Sequence, residues 1–159
     1  MKNLQQVIKL RETGKIQEAL DLIMNMLRQN PRDGDLNYQA AWCNDLLGYE
    51  REAIPFYLRA IESGLSDTDL KGAYLGLGST YRAIGNYKEA KKTFDIASDL
   101  FPRNNEFKVF KAMALYNLEE YSEAVKILLR SIAEHSCDPE IQRYQKAIYY
   151  YSDKLDETW

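Results

Sequence analysis

Few residues in this chain could do chemistry. His135 is the single histidine, and Cys137 stands two residues beyond it, far in sequence from the other cysteine, Cys43. Zinc needs at least three or four such donors, so a lone His–Cys pair makes no metal site. His135 falls near the end of a predicted helix, where a cation favours the helix dipole. The serines are scattered and none sits in a GxSxG elbow. The segment GLGST at 76–80 resembles a phosphate loop only superficially: no lysine follows it, and it lies inside a predicted helix. The neighbouring carboxylates Glu119 and Glu120 fall at a predicted turn and read as solvated. The sequence therefore predicts no catalytic, cofactor-binding or metal-binding residue, and a protein that is not an enzyme.

Composition narrows the remaining classes. The chain has 159 residues, 45% of them apolar or aromatic and 28% charged, enough to bury about 70% of its unfolded surface without a covalent staple. A net charge of −3 with both signs interspersed offers no concentrated basic face for nucleic acid. The first residues, MKNLQQVIKLRETG, contain no continuous apolar stretch of the kind that directs secretion. No apolar run reaches the roughly 20 residues of a membrane span. Two isolated thiols are no disulfide framework, and both cysteines read as small buried hydrophobes in a reducing, cytoplasmic setting.

The elements that carry these residues are set by a repeat. Four segments align: GKIQEAL at 14–20, GYEREAI at 48–54, GNYKEAK at 85–91 and EEYSEAV at 119–125. Their alanines, Ala19, Ala53, Ala90 and Ala124, are 34, 37 and 34 residues apart. Gly14, Gly48 and Gly85 keep the same spacing, with Glu119 where a fourth glycine would stand. A glycine here ends a first helix in the left-handed conformation, and a small alanine five residues on lets a second helix approach closely. Each helix pair leaves an apolar face that only the next pair covers. The pattern predicts first helices near 2–13, 35–47, 69–84 and 105–118, and second helices near 16–29, 50–63, 87–100 and 121–135. A final helix over about 139–155 opens on Asp138 as N-cap and Pro139 at its first position. The three extra residues of the 37-residue spacing are expected in a polar loop at 64–72.

The period and residues resemble the tetratricopeptide repeat (TPR). In the third unit Tyr74, Leu77, Gly78 and Tyr81, then Gly85, Tyr87, Ala90, Phe94, Ala97 and Pro102, stand at that family's signature positions. The second unit keeps Gly48, Ala53, Tyr57 and Ala60; the first keeps Gly14, Ala19 and Pro31; the fourth keeps Tyr121, Ala124 and Leu128. Residues 40–90 are also similar to a largely uncharacterised bacterial group of short TPR proteins. The resemblance implies an all-α fold, a right-handed α-solenoid of helix-turn-helix repeats closed by a C-terminal capping helix. It implies a single domain over 1–159, with repeats at about 1–33, 34–67, 71–104 and 105–138. It also implies a scaffold or adaptor whose first helices line a concave groove for a peptide or helix.

Carrying the groove positions over gives Leu4, Ile8 and Arg11 from repeat one, Tyr38, Trp42 and Asp45 from repeat two, Leu75, Ser79 and Arg82 from repeat three, and Val109, Met113 and Tyr116 from repeat four. This apolar and aromatic lining suits the apolar face of a helix, although aromatic residues at helical spacing also serve as core, as Tyr57, Tyr81 and Tyr87 do in the repeat. The carboxylate clamp by which some TPR cochaperones grip a chaperone tail is not formed. Its positions hold Leu4, Ile8, Gln39, Gly72 and Gly76 in one register, and Tyr38, Trp42, Gly76, Glu106 and Phe110 in the other; neither supplies the cations.

In the last predicted helix Ile141, Tyr144, Ile148, Tyr151 and Leu155 are spaced 3, 4, 3 and 4 apart, a heptad-like seam. The seam either packs on the second helix of repeat four as a cap or pairs with a second subunit. The sequence thus predicts a non-catalytic module that binds a protein or peptide partner in its groove. The alternative is a homodimer that uses the groove or the last helix for self-association. Neither expectation involves a cofactor, nucleic acid or a membrane.

Overall fold

The computed structural model describes residues 2–158. Among them there are ten α-helices and no strand. In chain order they are α1 (Lys2–Glu12), α2 (Ile16–Leu27), α3 (Gly34–Leu46), α4 (Glu50–Ser63), α5 (Asp67–Ala83), α6 (Tyr87–Leu100), α7 (Glu106–Asn117), α8 (Tyr121–His135), α9 (Pro139–Arg143) and α10 (Gln145–Ser152). The chain divides into two compact units, Met1–Asn86 and Tyr87–Trp159. The division falls between the two helices of the third predicted repeat.

The predicted turn recurs four times. Gly14, Gly48 and Gly85 have φ of +79°, +78° and +84°, and Glu119 takes the same left-handed region at +64°. At each turn the following amide donates back five residues: Lys15 to the Leu10 carbonyl, Tyr49 to Asn44, Asn86 to Tyr81 and Glu120 to Leu115, at 2.8–3.0 Å. This is the Schellman closure, which satisfies carbonyls that a helix end would otherwise leave without partners. The repeat alanines Ala19, Ala53, Ala90 and Ala124 are all buried.

In the first unit Val7, Ala19, Ile23, Leu36 and Cys43 form one core cluster, while Tyr38, Ala53, Tyr57, Ala73 and Leu77 form a second. In the second unit Ala112, Leu115 and Ala124 are packed together, and Phe94 lies 6.0 Å from Phe110 between α6 and α7.

Three expectations need correction. The 64–72 segment is a loop only as far as Ser66, because the extra residues lengthen α5 to 17 residues. Ser66 accepts a hydrogen bond from the Asp69 amide, and Asp67 and Asp69 favour the first turn by their charge. The last helix is two helices broken at Tyr144. It opens as expected on Asp138, which accepts from the Glu140 amide at 2.9 Å, and on Pro139. After the break the Gln145 side chain donates to the Ala133 carbonyl at 3.1 Å, one of the orphan acceptors at the end of α8. Cys137 is exposed rather than buried, because it lies in the short link between α8 and α9, while Cys43 is buried as expected.

The α10 helix packs on α8, and of the predicted seam Ile141 and Ile148 are half-buried. Tyr144, Tyr151 and Leu155 are exposed, and Leu155 lies beyond the helix. Polar ties accompany the contact. Arg130 donates to Ser152 at 3.1 Å and pairs with Asp153, Lys126 pairs with Asp153 at 2.8 Å, and Tyr149 bonds Glu134.

Candidate protein-binding face

The first helices of the first unit bring Arg11, Tyr38 and Trp42 into one cluster. The Arg11 guanidinium lies 3.6 Å above the Trp42 ring, and its Nε donates to Gln39 Oε1 at 3.1 Å. Such cation–π stacking contributes about 0.5–2 kcal/mol. Tyr38 adds a tilted ring contact at 5.7 Å. Trp42 is thus held in place, yet it keeps 36% of its surface exposed. One turn along α3, Leu46 is 53% exposed, so the two form an open apolar strip on one side of the helix. Leu46 was missed by the repeat positions. An apolar residue at i+4 from an exposed tryptophan was the available signal.

The predicted groove residue Tyr38 does not belong to that open strip, being only 6% exposed. Its hydroxyl occupies the place where a Cβ at Gly72 would stand, and the Tyr57 hydroxyl does the same at Gly76. The two glycines are one turn apart on α5 and seat the two phenols of repeat two. Asp45, another predicted lining residue, is tied into the same junction. It accepts from the Tyr57 hydroxyl at 2.7 Å and from Thr80 Oγ1 at 2.9 Å. Burial raises its pKa above the usual carboxylate value, and the hydrogen bonds from Tyr57 and Thr80 oppose that shift. Burial, reinforced by the Asp45 charge and its hydrogen bond, drives the Tyr57 phenol well above its ordinary value. Leu4 packs against the first core cluster, and Ile8, Leu75, Ser79 and Arg82 are half-buried.

In the second unit Val109, Met113 and Tyr116 share a face of α7. Val109 is half-buried, Met113 is exposed, and Tyr116 is 63% exposed with its ring 5.2 Å from Tyr121. Six of the twelve tyrosines are exposed. Tyr57 is buried, while Tyr81 and Tyr87 are half-buried.

Nothing in these faces is arranged as a reaction centre. His135 Nδ1 lies 3.1 Å from the Ser131 carbonyl on its own helix. GLGST lies within α5 as expected, and its Thr80 is committed to Asp45 and to the Gly76 carbonyl. Among the described residues no group of three or more His, Cys, Asp or Glu is placed to hold a metal. No helix among them is long and apolar enough to cross a membrane.

Comparison with known proteins gives the same architecture. Over 93 residues the chain is 29% identical to superkiller protein 3 of Saccharomyces cerevisiae, spanning 58% of this chain but 6% of that relative's length. A TPR protein from Parabacteroides merdae superposes with a TM-score of 0.75 at 20% identity, over 93% of this chain and 57% of that one. MamA from Desulfovibrio magneticus superposes with a TM-score of 0.74 at 14% identity, over 96% and 86% of the two chains. At these identities the structural likeness is one of fold. The sequence model of the tetratrico peptide repeat matches residues 34–155. It begins at the second helix pair, past the most degenerate repeat, and with more than three quarters of its length covered the chain belongs to the tetratricopeptide-repeat family.

Proposed function

We propose that this protein is a non-catalytic interaction module, and that the exposed face of its first helices binds an apolar helix or peptide of a partner protein. The observation that carries this is Trp42. It is fixed by Arg11 and Tyr38 but left open beside Leu46, the preorganised aromatic anchor typical of interface centres. Repeat four offers Met113 and Tyr116 as further exposed apolar contacts. The setting we infer is a reducing, cytoplasmic one, compatible with the free thiols Cys43 and Cys137.

The test is capture of partners from native lysate with wild type and Trp42→Ala. The variant should bind a captured partner about tenfold more weakly or worse, with its helical signal kept, and the loss should persist at high salt because the lining is apolar. Unchanged binding by Trp42→Ala would remove this face from consideration.

Self-association is the second reading. It is favoured by the exposed Tyr144, Tyr151 and Leu155 of the predicted seam, which α8 leaves uncovered. Light scattering separates the two readings. A dimer that Tyr151→Asp turns into a folded monomer supports self-association, and a concentration-independent monomer excludes it.

A further inference from the structure

Repeats one and two carry a second feature, which shares no lining residue with the Trp42 cluster. A cleft of about 370 Å³ opens between the end of α2, the α2–α3 link and α4, within the range of small-ligand clefts, roughly 300–1,000 Å³. Its walls include Met24, Leu27, Pro31 and Phe56, and its cationic members are Arg28 and Arg59. Arg59 also borders an adjoining hollow with Arg32, Glu62 and Ser63.

Arg59 is held in position. Its Nε donates to Asn37 Oδ1 at 3.1 Å, and its guanidinium lies 4.7 Å over Phe56. Asn37 is fully buried and is itself fixed by donating to the carbonyls of Pro31 at 3.0 Å and Asp33 at 2.7 Å. A buried amide thus aims one guanidinium through its Nε, and its two terminal nitrogens have no hydrogen-bond partner among the described residues. Arg28 and Arg32 are exposed and have no ion-pair partner among the described residues; Glu62, the carboxylate of the adjoining hollow, pairs with none of the three arginines. In a chain of net charge −3, the cleft and its adjoining hollow together carry three guanidiniums, Arg28, Arg59 and Arg32, against the single carboxylate of Glu62. Arginine forks match carboxylates in pairs.

We propose that this cleft docks an acidic peptide of a partner protein, which seats one large apolar side chain against Phe56 and Met24 and places flanking carboxylates on Arg28, Arg59 and Arg32. The apolar walls set the anchor, and the guanidiniums set the charge of its neighbours. This surface is separate from the face of Trp42, so one chain can hold two partners or two segments of one partner.

The experiment is selection from a heptapeptide display library with Phe, Leu, Met or Trp at the centre and Asp, Glu, Gly or Ser elsewhere. Fluorescence anisotropy is then measured on the enriched peptides. Acidic sequences should be enriched. Replacing the central residue by Ser should weaken binding about tenfold, and Arg28→Glu with Arg32→Glu should do the same while leaving the helical signal intact. Trp42→Ala should leave this binding unchanged, so the two faces succeed or fail independently. The proposal is overturned by any of three results: no enrichment; binding that survives loss of the central apolar residue or is matched by heparin, which marks a general attraction for anions; or binding that falls with Trp42→Ala and not with Arg28→Glu.

Discussion

The Tyr57 hydroxyl donates to Asp45 Oδ2 at 2.7 Å, joining the second helix of repeat two to the first, and Thr80 of α5 donates to the same carboxylate. One side chain therefore links three helices. Burial raises the Asp45 pKa above its ordinary 3.8, against the pull of its two hydroxyl donors. A raised value means that the native state holds the proton more tightly than the unfolded chain. The stability that this contributes is present below 3.8 and is lost as pH rises through the folded value. The stability advantage of wild type over Asp45→Asn should thus shrink as pH climbs from 3.8 and then level off. Urea unfolding at a series of pH values measures it, and a pH-independent difference would contradict the assignment.

Gly76 should resist the substitution that helix propensity favours. Alanine in a helix interior ordinarily gains up to about 1 kcal/mol over glycine, but here its Cβ would meet the Tyr57 hydroxyl, which Asp45 holds in place. Gly76→Ala should therefore lose about 1 kcal/mol or more. A gain in denaturation midpoint would show that the phenol moves aside freely.

Glu119 and Gly48 occupy equivalent turns with opposite consequences. A left-handed backbone costs a non-glycine residue about 1–2 kcal/mol, part of it offset by the greater freedom of an unfolded glycine. Glu119→Gly should stabilise the protein by about 0.5–1 kcal/mol, while Gly48→Ala should destabilise it by a similar amount or more. Two chemical denaturation curves suffice, and the same sign for both would refute the shared geometry.

The two thiols should separate cleanly. Burial pushes the Cys43 thiol up to about 11, with Arg11 opposing, and Cys43 has no exposed surface, whereas Cys137 is exposed. Native protein treated with a maleimide should take up one label quickly at Cys137. The second label should follow only on unfolding, at least about a hundredfold more slowly. Intact-mass spectrometry counts the labels, and rapid double labelling would mean that repeat two opens readily.

The helix pairs were legible because they repeat. A glycine and an alanine five residues apart recur three times, and Glu119 with Ala124 keeps the spacing a fourth time, so a single misread position could not displace the register. Even Glu119, the departure from pattern, kept the conformation its position demanded. What lacked repetition was harder. The extra residues before α5 looked polar enough for a loop, but Ser66 with Asp67 and Asp69 is a helix start. The seam from Ile141 to Leu155 has coiled-coil spacing, yet the helix breaks at Tyr144, and Ile141 and Ile148 are half-buried while Tyr144, Tyr151 and Leu155 are exposed. The open strip was half legible: Trp42 stood at a groove position, but Tyr38 beside it is taken by Gly72, a pairing between residues 34 apart that no local pattern announces.

The polar attachment of α10 has a consequence for how the chain comes apart. Its ties to α8 include charged groups near the surface, among them Asp153 with Lys126 and Arg130, whereas the contacts at Ala112, Leu115 and Ala124 are apolar. Salt screens the former and leaves the latter intact. The amides of α10 should accordingly exchange with deuterium sooner than those of α7, and sooner still as ionic strength rises, so that this end frays and re-anneals while the preceding helices stay folded.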